Sequence, residues 1–254
     1  MSLLQARSLS VAIAGRLLCR GLNLTLEPGQ CWGLLGANGI GKTSLLHTLA
    51  GLRPAASGTV RIDGVPQQEL GRKALARHVG VLFQDSQDTF PATVLETVLS
   101  GRYPHLSLWG LESEKDVAIA RYALEQVALD DLAQRRVDTL SGGERRRLAV
   151  AILLAQSPSV YLLDEPTNHL DLHFQIRLLT LLNVKAAHGA AMLMSLHDVN
   201  MVTRFCSHAL LMIDRNTLLA GPVEEVITML NLERLYRHGI REVEDKGRRF
   251  YFPE

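Results

Sequence analysis

The sequence lacks the features that mark a secreted, membrane-spanning or nucleic-acid-binding protein. Its 27 Lys and Arg residues nearly balance 26 Asp and Glu residues, so a net charge of +1 gives no basic surface for nucleic acid or an anionic membrane. The three cysteines (Cys19, Cys31 and Cys206) have no metal-site spacing, and an odd count argues against a disulfide framework, which indicates a reduced, cytoplasmic protein. Residues 148–155 form one of the longest apolar runs, far below the roughly 18 residues that cross a bilayer. Because no signal sequence begins the chain, any work at a membrane is expected to need a partner.

The remaining pattern is that of an α/β protein. A chain of 254 residues that is 47% hydrophobic is long enough for one such domain with an insertion. Strands and helices alternate from residue 160 onward, which predicts a mostly parallel sheet with crossover helices. We predict a single domain over 1–254, with an antiparallel β subdomain at the N-terminus and a helical subdomain inserted over about 90–158. The predicted strands cover 22–26, 31–35, 59–62, 79–83, 160–163, 190–196 and 248–252.

One stretch carries a phosphate-binding pattern, glycine and four residues followed by Gly-Lys-Ser/Thr. An apolar strand precedes it, and leucines at helical spacing follow it. Its glycines would turn backbone N–H groups toward an anion, and the helix N-terminus adds a positive dipole end. Lys42 would reach the β- and γ-phosphates, and the Thr43 hydroxyl would ligate Mg²⁺. The predicted nucleotide-binding loop, called the P-loop below, comprises Gly36, Ala37, Asn38, Gly39, Ile40, Gly41, Lys42 and Thr43, with Ser44 next to it.

A second candidate group is a pair of carboxylates, Asp164 and Glu165, at the end of the apolar strand 160–163. Ligands of open α/β sheets bind beyond the carboxyl ends of strands, where the P-loop also lies. Adjacent strand residues point in opposite directions, so the two acids are expected to differ in role. Asp164 suits Mg²⁺, directly or through water, and Glu165 suits polarisation of the attacking water.

A third group is Ser141, Gly142, Gly143 and Glu144, called the Ser-Gly-Gly turn below. Ser141 and Glu144 have the spacing of a capping box, which also fits an ordinary helix start. The two glycines are poor helix formers, however, and favour close approach of the backbone to an anion. The chain then has two phosphate-binding helix ends but one P-loop lysine, which a two-fold dimer would explain if one protomer's turn covered its partner's nucleotide. The arginines that follow, at positions 145, 146 and 147, are predicted to form a solvated helix face.

These motifs occur in an order that resembles the ABC ATPases over nearly the whole chain. The resemblance adds Gln84 after a strand, Asp171 in Asn168-His169-Leu170-Asp171, and His197 after Ser195-Leu196. It implies an ABC-ATPase fold, with ATP and Mg²⁺ bound and ATP hydrolysed in a homodimer. It also implies that Gln84 contacts Mg²⁺ and a permease, that Asp171 contacts the opposite subunit, and that His197 holds the γ-phosphate. Taken alone, a glutamine or histidine after a strand is more often a surface or packing residue.

One position departs from that family's pattern. ABC ATPases commonly place an aromatic residue upstream of the P-loop against adenine, and here the matching position is Ile13. We therefore expect weaker base stacking, by at most the roughly 1–3 kcal/mol typical of base–aromatic stacking, and slight discrimination between ATP and GTP.

The subclass is indicated by weaker similarities. The stretches 94–105 and 170–175 and the C-terminal stretch from 231 resemble the ATPases of ferric siderophore, haem and cobalamin importers. The resemblance implies a permease dimer that docks near Gln84 and residues 90–107, a periplasmic or lipoprotein substrate-binding protein, and a peripheral location on the cytoplasmic face of the cell membrane. No nucleic-acid partner is expected.

Three alternatives stay open at this stage. The chain could serve an exporter or another importer class, or be a soluble ABC protein acting on ribosomes or DNA. The soluble class usually needs tandem cassettes or a long coiled coil, whereas about a hundred residues separate the P-loop from the Ser-Gly-Gly turn here. A nucleotide-binding module without turnover is disfavoured because Glu165 and His197 are both present.

Overall fold

The computed structural model describes residues 2–84, 91–107 and 110–254. This part of the chain forms two sheets, a C-terminal hairpin and a set of helices, several of which occupy the insertion between the strands Val79–Leu82 and Val160–Leu163. The strands are β1 Leu4–Ile13, β2 Arg16–Leu26, β3 Cys31–Gly36, β4 Ser57–Ile62, β5 Val65–Pro66, β6 Val79–Leu82, β7 Val160–Leu163, β8 Ala191–Ser195, β9 His208–Met212, β10 Leu218–Pro222, β11 Ile240–Asp245 and β12 Arg248–Pro253. The α-helices are α1 Lys42–Leu49, α2 Arg72–His78, α3 Val94–Leu99, α4 Glu114–Gln126, α5 Gly142–Gln156, α6 Leu172–Ala187, α7 Val199–Phe205, α8 Val223–Val226 and α9 Met229–Tyr236.

The N-terminal sheet is antiparallel, as predicted, with the strand order β2-β1-β4-β5. Its first hairpin closes through Ala14 and Gly15, which both have positive φ, so that Ile13 pairs with Arg16. A two-residue turn with two left-handed residues matches the twist of the flanking strands. The hairpin therefore carries Ile13 out to the tip of the sheet, where the side chain is 36% exposed.

The larger sheet has the order β10-β9-β3-β8-β7-β6, and every pair is parallel except β9 with β10. This confirms the predicted mostly parallel sheet. Its inner strands β7 and β8 are buried on both faces, as their continuous apolar stretches required. Because β3, β6, β7 and β8 run in the same direction, the residues that follow them meet at one edge of the sheet.

The chain between β6 and β7 is helical, in agreement with the predicted insertion. Capping boxes begin α3 at Thr93, α4 at Ser113 and α5 at Ser141. A buried ion pair joins Arg102 to Asp116 at 2.9 Å, and Arg102 also donates to the Ala155 carbonyl at 2.7 Å. These contacts fix α4 and the 3₁₀ turn Ser100–His105 against the end of α5. The boundaries of the helical subdomain, at about residues 90 and 158, remain a prediction.

The C-terminal hairpin of β11 and β12 is hydrogen-bonded to α7 through the Asn200 side chain. The Asn200 amide donates to the Tyr251 carbonyl at 3.1 Å, while the Tyr251 N–H donates to Asn200 Oδ1 at 2.8 Å. The predicted strand 248–252 lies within β12. Over the described ranges, the helices are too short or too polar for any of them to cross a membrane.

Candidate functional site

The P-loop joins the end of β3 to the start of α1. Gly39 and Gly41 have φ values of 74° and 117°, which favour glycine, and Gly41 is the N-cap of α1. A Cβ on Gly41 would also lie 3.0 Å from Leu18 Cβ in the neighbouring sheet. The backbone therefore makes the tight turn that directs the first N–H groups of α1 toward the loop, as an anion site requires.

Lys42 lies in the first turn of α1 with its ammonium folded back over the P-loop. Its Nζ donates to the carbonyls of Gly36 at 2.7 Å and Ala37 at 3.3 Å. Burial lowers the pKa of Lys42, and the nearby Glu165 and Asp164 carboxylates oppose that change. The side chain is thus a buried cation between backbone carbonyls and two acids, where a phosphate group would find a donor.

Asp164 is buried at the end of β7 with one carboxylate oxygen engaged. The Ser195 hydroxyl donates to Asp164 Oδ1 at 2.6 Å and accepts from the Glu165 N–H at 2.8 Å. Asp164 Oδ2 is buried and has no hydrogen-bond partner among the described residues. A buried carboxylate oxygen without a donor is costly, and oxygen donors of this kind suit Mg²⁺. The Asp164 carboxylate therefore fits the predicted cation, and the other two predicted ligands, Thr43 and Gln84, line the cleft described below.

Three polar side chains converge on the Glu165 carboxylate. His197 Nε2 lies 2.7 Å from Oε1, the Gln84 amide donates to Oε2 at 3.2 Å, and the Asn168 amide also donates to Oε2. Glu165 has a left-handed backbone with φ of 48°, an uncommon conformation for a residue with a side chain. This conformation turns the side chain, only 9% exposed, toward Gln84 and His197 at the ends of β6 and β8.

Residues of the P-loop, together with Gln84, Glu165 and His197, line one cleft of about 530 Å³, which we call the P-loop cleft, whereas Asp164 is not among its lining residues. Its volume lies in the range of small-molecule sites, and its lining is rich in donors. Ile13 and Arg16 from the first hairpin form its outer wall. The structure thus brings together most of the predicted nucleotide and catalytic residues, namely Asn38, Gly39, Gly41, Lys42, Thr43, Ser44, Gln84, Glu165 and His197.

The Ser-Gly-Gly turn and Asp171 are not among the residues that line this cleft. Ser141 caps α5 through a complete capping box, because its hydroxyl accepts from the Glu144 N–H and the Glu144 carboxylate accepts from the Ser141 N–H at 2.7 Å. Gly142 is exposed, and a Cβ there would meet nothing within 4 Å. Asp171 is the N-cap of α6 and accepts from the Phe174 N–H at 2.9 Å. Within one chain, Ser141, Glu144 and Asp171 thus have hydrogen-bond partners in their own helices.

The prediction of a solvated arginine face after the Ser-Gly-Gly turn was wrong. Arg146 is 5% exposed and donates to backbone carbonyls at the ends of β6 and β7. Arg147 donates to the Val127 and Ala128 carbonyls and lies over the Phe174 ring at 4.3 Å. Arg145 is exposed, yet it donates to the Leu140 carbonyl at 3.0 Å. The carbonyls that Arg146 and Arg147 bind lie in loops distant in sequence, so the charge pattern alone could not predict these contacts.

Comparison with known proteins agrees with the site. The profile of the ABC transporter family matches residues 19–168. The chain is 38% identical to the ferric enterobactin transport ATP-binding protein of Escherichia coli (strain K12), over 84% of this chain and 80% of that protein. It is 33% identical to the iron(3+)-hydroxamate import ATP-binding protein of Bacillus subtilis (strain 168), over 93% and 88% respectively. The hemin import ATP-binding protein of Bordetella avium is 38% identical, with 92% and 91% covered.

Solved structures share the architecture. A metal-chelate type ABC transporter in an inward-facing conformation superposes with a TM-score of 0.85 at 27% identity, covering 100% of this chain and 98% of that one. A nucleotide-free ATP-binding cassette superposes with a TM-score of 0.78 at 21% identity, over 93% and 96%, and shares the fold. With a P-loop, a cleft that contains Glu165, and these relatives, the chain belongs to the ABC transporter family, as an ATP-binding subunit that hydrolyses ATP to power transport and works with membrane permease components.

Proposed function

We propose that this ATPase drives import of a metal chelate of the siderophore, haem or cobalamin type through a separate permease dimer. The similarity to import ATP-binding proteins for ferric enterobactin, iron(3+)-hydroxamate and hemin supports this substrate class. The similarities that the sequence shows over 94–105 and 170–175 support it too. The substrate-binding surfaces of such a system lie on other subunits, so the cargo is proposed by class.

The observation that carries the catalytic part of the proposal is the convergence on Glu165. A carboxylate that already accepts from Gln84 and Asn168 and meets His197 is held in one orientation beside the P-loop. In this scheme Glu165 orients and polarises the attacking water, and His197 turns to the γ-phosphate when ATP enters. Lys42 exchanges its bonds to the Gly36 and Ala37 carbonyls for bonds to the β- and γ-phosphates.

Mg²⁺ is proposed as the cofactor. Thr43, Gln84 and Asp164 would hold it, and the unpartnered Oδ2 atom of Asp164 supports that assignment. When bound, the ion would neutralise the charge of the phosphate oxygens. The chain's contribution is to orient Asp164, because Ser195 fixes its other carboxylate oxygen at 2.6 Å.

A homodimer would complete the site. Ser141, Gly142 and Gly143 of one protomer would contact the nucleotide that the partner's P-loop holds, and Asp171 would approach the same interface. The exposed position of Gly142, with open space around it, supports this role. Two nucleotides would then be enclosed between two copies of the chain.

The permease would dock beside Gln84 and residues 90–107. Gln84 and the described residues 91–107 lie at the boundary between the parallel sheet and the helical insertion. Residue 90 lies outside the described residues, but Phe83 and Tyr103 there are 43% and 73% exposed, and apolar exposure of this kind suits a partner surface. A periplasmic or lipoprotein substrate-binding protein would complete the system, and this subunit would be peripheral at the cytoplasmic face of the cell membrane.

The test of the catalytic assignment is the change Glu165→Gln. Loss of the base should lower ATP turnover by about 10²- to 10⁴-fold, while ATP affinity is retained and an ATP-bound dimer accumulates. Turnover is measured by phosphate release and the dimer by size-exclusion chromatography with light scattering. The control is Glu125→Gln, an exposed glutamate of α4. Undiminished hydrolysis by the Glu165 variant would remove this residue from the role of base.

The test of import uses the subunit with its permease in lipid vesicles. ATP-dependent accumulation of a radiolabelled ferric siderophore, haem or cobalamin inside vesicles that present the binding protein outside is the expected result. Movement of cargo in the opposite direction would instead indicate an exporter. Comparison of the three chelates would narrow the substrate class.

A further inference from the structure

Arg146 lies in the second turn of α5, just after the Ser-Gly-Gly turn, and its guanidinium is directed into the protein. The residue is 5% exposed. Its two terminal nitrogens donate to carbonyls in two different loops, one after β6 and the other after β7. Nη1 donates to the carbonyls of Phe83 at 2.5 Å and Gln84 at 3.2 Å, Nη2 to those of Asp164 at 2.7 Å and Glu165 at 2.6 Å, and Nε to that of Pro166 at 3.4 Å.

This contact set exploits a geometry that only arginine has. The guanidinium is planar and presents five N–H donors in a fixed fork, so one side chain can hold two loops at a set separation. A lysine ammonium would keep the positive charge but is a compact point donor on a flexible stem. Arg146 therefore sets the distance between Gln84 and Glu165, the two residues whose side chains meet in the P-loop cleft at 3.2 Å.

We infer that Arg146 is a positioning residue for ATP hydrolysis that fixes the backbone of Glu165 and Gln84 from beneath the P-loop cleft. The inference rests on the proposed role of Glu165 as the base. Glu165 has a left-handed backbone, and its peptide groups are held from two sides. Arg146 donates to its carbonyl and Ser195 accepts from its N–H, so both residues orient the side chain through the Glu165 backbone.

The same contacts connect the cleft to the Ser-Gly-Gly turn. Arg146 belongs to the helix that this turn begins, and it bonds directly to the two loops that carry Gln84 and Glu165. A shift of the α5 N-terminus would therefore displace both catalytic side chains of the same protomer. In the proposed dimer, contact of the Ser-Gly-Gly turn with the partner's nucleotide would therefore displace Glu165, the proposed general base, in the same protomer.

The test is a double-mutant cycle on turnover. Arg146→Lys should lower kcat by about 10- to 100-fold, as expected for a misplaced catalytic group, with little change in KM or in ATP affinity. In the Glu165→Gln background the same change should lower the rate of ATP hydrolysis by less than about threefold. A residue that acts through Glu165 has no catalytic carboxylate to position in that variant. Rates in that background come from single-turnover hydrolysis of radiolabelled ATP.

The matched control is Arg147→Met, which removes the next arginine of α5 and its bonds to the Val127 and Ala128 carbonyls, away from the cleft. Its kcat should stay within about twofold. Thermal unfolding and ATP binding establish that each variant is folded, and Arg146→Gln replaces the lysine variant if that one does not fold.

Three results would overturn the inference. They are an unchanged kcat for Arg146→Lys, equal losses in both backgrounds, and an equal loss for Arg147→Met. Failure of the proposed function is separate, since it would appear as full activity of Glu165→Gln in an otherwise wild-type chain. The inference fails when that variant is inactive as expected and Arg146 still proves dispensable.

Discussion

The P-loop cleft and the Ser-Gly-Gly turn both contain the N-terminus of a helix, but the two helix ends are partnered differently. No side chain of the described residues caps α1, and its first N–H groups open into the P-loop. The start of α5 has a complete capping box from Ser141 and Glu144. The first end is therefore built to receive an anion from outside, whereas the second is stable by itself and displays two glycines. In the proposed dimer, one chain would thus supply the P-loop cleft of its own site and the Ser-Gly-Gly turn of its partner's site.

The largest effect should come from removing the charge at the P-loop. Lys42→Met deletes the buried cation whose bonds to the Gly36 and Ala37 carbonyls preform the loop. ATP affinity should fall by at least about 100-fold, equivalent to about 2.7 kcal/mol, and turnover should disappear. Titration calorimetry with ATP checks the affinity. Retained affinity would mean that the backbone N–H groups of the loop suffice.

A second change tests the displayed surface. Gly142→Asp has open space for its side chain, so the monomer should fold and bind ATP normally. Turnover should fall by about 100-fold, because a carboxylate would face the partner's phosphates and remove an anion-binding contact. The control is Gly71→Asp at the N-cap of α2, which also has open space. Full turnover of the Gly142 variant would contradict the shared site.

A third change weakens the support of the helical insertion. Arg102→Met leaves the Asp116 carboxylate without its buried partner and should cost about 3 kcal/mol of stability in urea unfolding. The control, Arg136→Met, breaks a pair that is 59% and 52% exposed and should change stability by less than about 1 kcal/mol. Equal effects would show that the buried pair does not hold the insertion.

The same pair predicts a pH dependence. Hydrogen bonds from Ser113 and Arg102 lower the pKa of Asp116 from 3.8 to about 2. The folded state therefore gains stability from this carboxylate above pH 3.8, and loses it as the pH falls toward 2. In Arg102→Met the remaining Ser113 bonds should leave a smaller acid-dependent loss than in the wild type, measurable as the difference in thermal midpoint between pH 5 and pH 2.5.

The smallest effect is expected at the outer wall of the cleft. Ile13→Tyr should raise ATP affinity by about 10-fold, within the range of one base–aromatic stack. The wild type should bind ATP and GTP with nearly equal affinity. Val65→Tyr, at a position of similar exposure in the same sheet, should leave affinity unchanged. Strong adenine preference in the wild type would show that the hairpin recognises the base by other contacts.

Much of the fold and cleft could be predicted because each part has a local signal. Alternating or continuous apolar stretches gave the strands, and the P-loop pattern located β3 and α1. Gln84, Glu165 and His197 follow different strands, and a parallel sheet brings such residues to one edge. The first hairpin, of β1 and β2, is longer than the predicted strand 22–26, because Ala14 and Gly15 give a weaker turn signal than Asn-Gly.

The arginines of α5 could not be placed from the sequence because their partners are backbone carbonyls. Every residue has a carbonyl, so Arg146 and the carbonyls it binds leave no spacing or charge pattern to recognise. Ser195 was missed for a related reason. Its hydroxyl lies at the end of an otherwise apolar strand, and only the neighbouring strand shows that it faces Asp164.

The order of strands in the parallel sheet has a consequence for synthesis. β3 ends in the P-loop, yet its neighbours are β8 and β9, so Cys31 lies beside Met192 and Gly36 beside Met212. Pairing of strands so far apart in sequence loses the conformational entropy of the long intervening chain before any hydrogen bond between the strands forms. A nascent chain therefore carries the complete phosphate-binding motif long before it can hold a nucleotide, and the ribosome must release most of the polypeptide before the first ATP can bind.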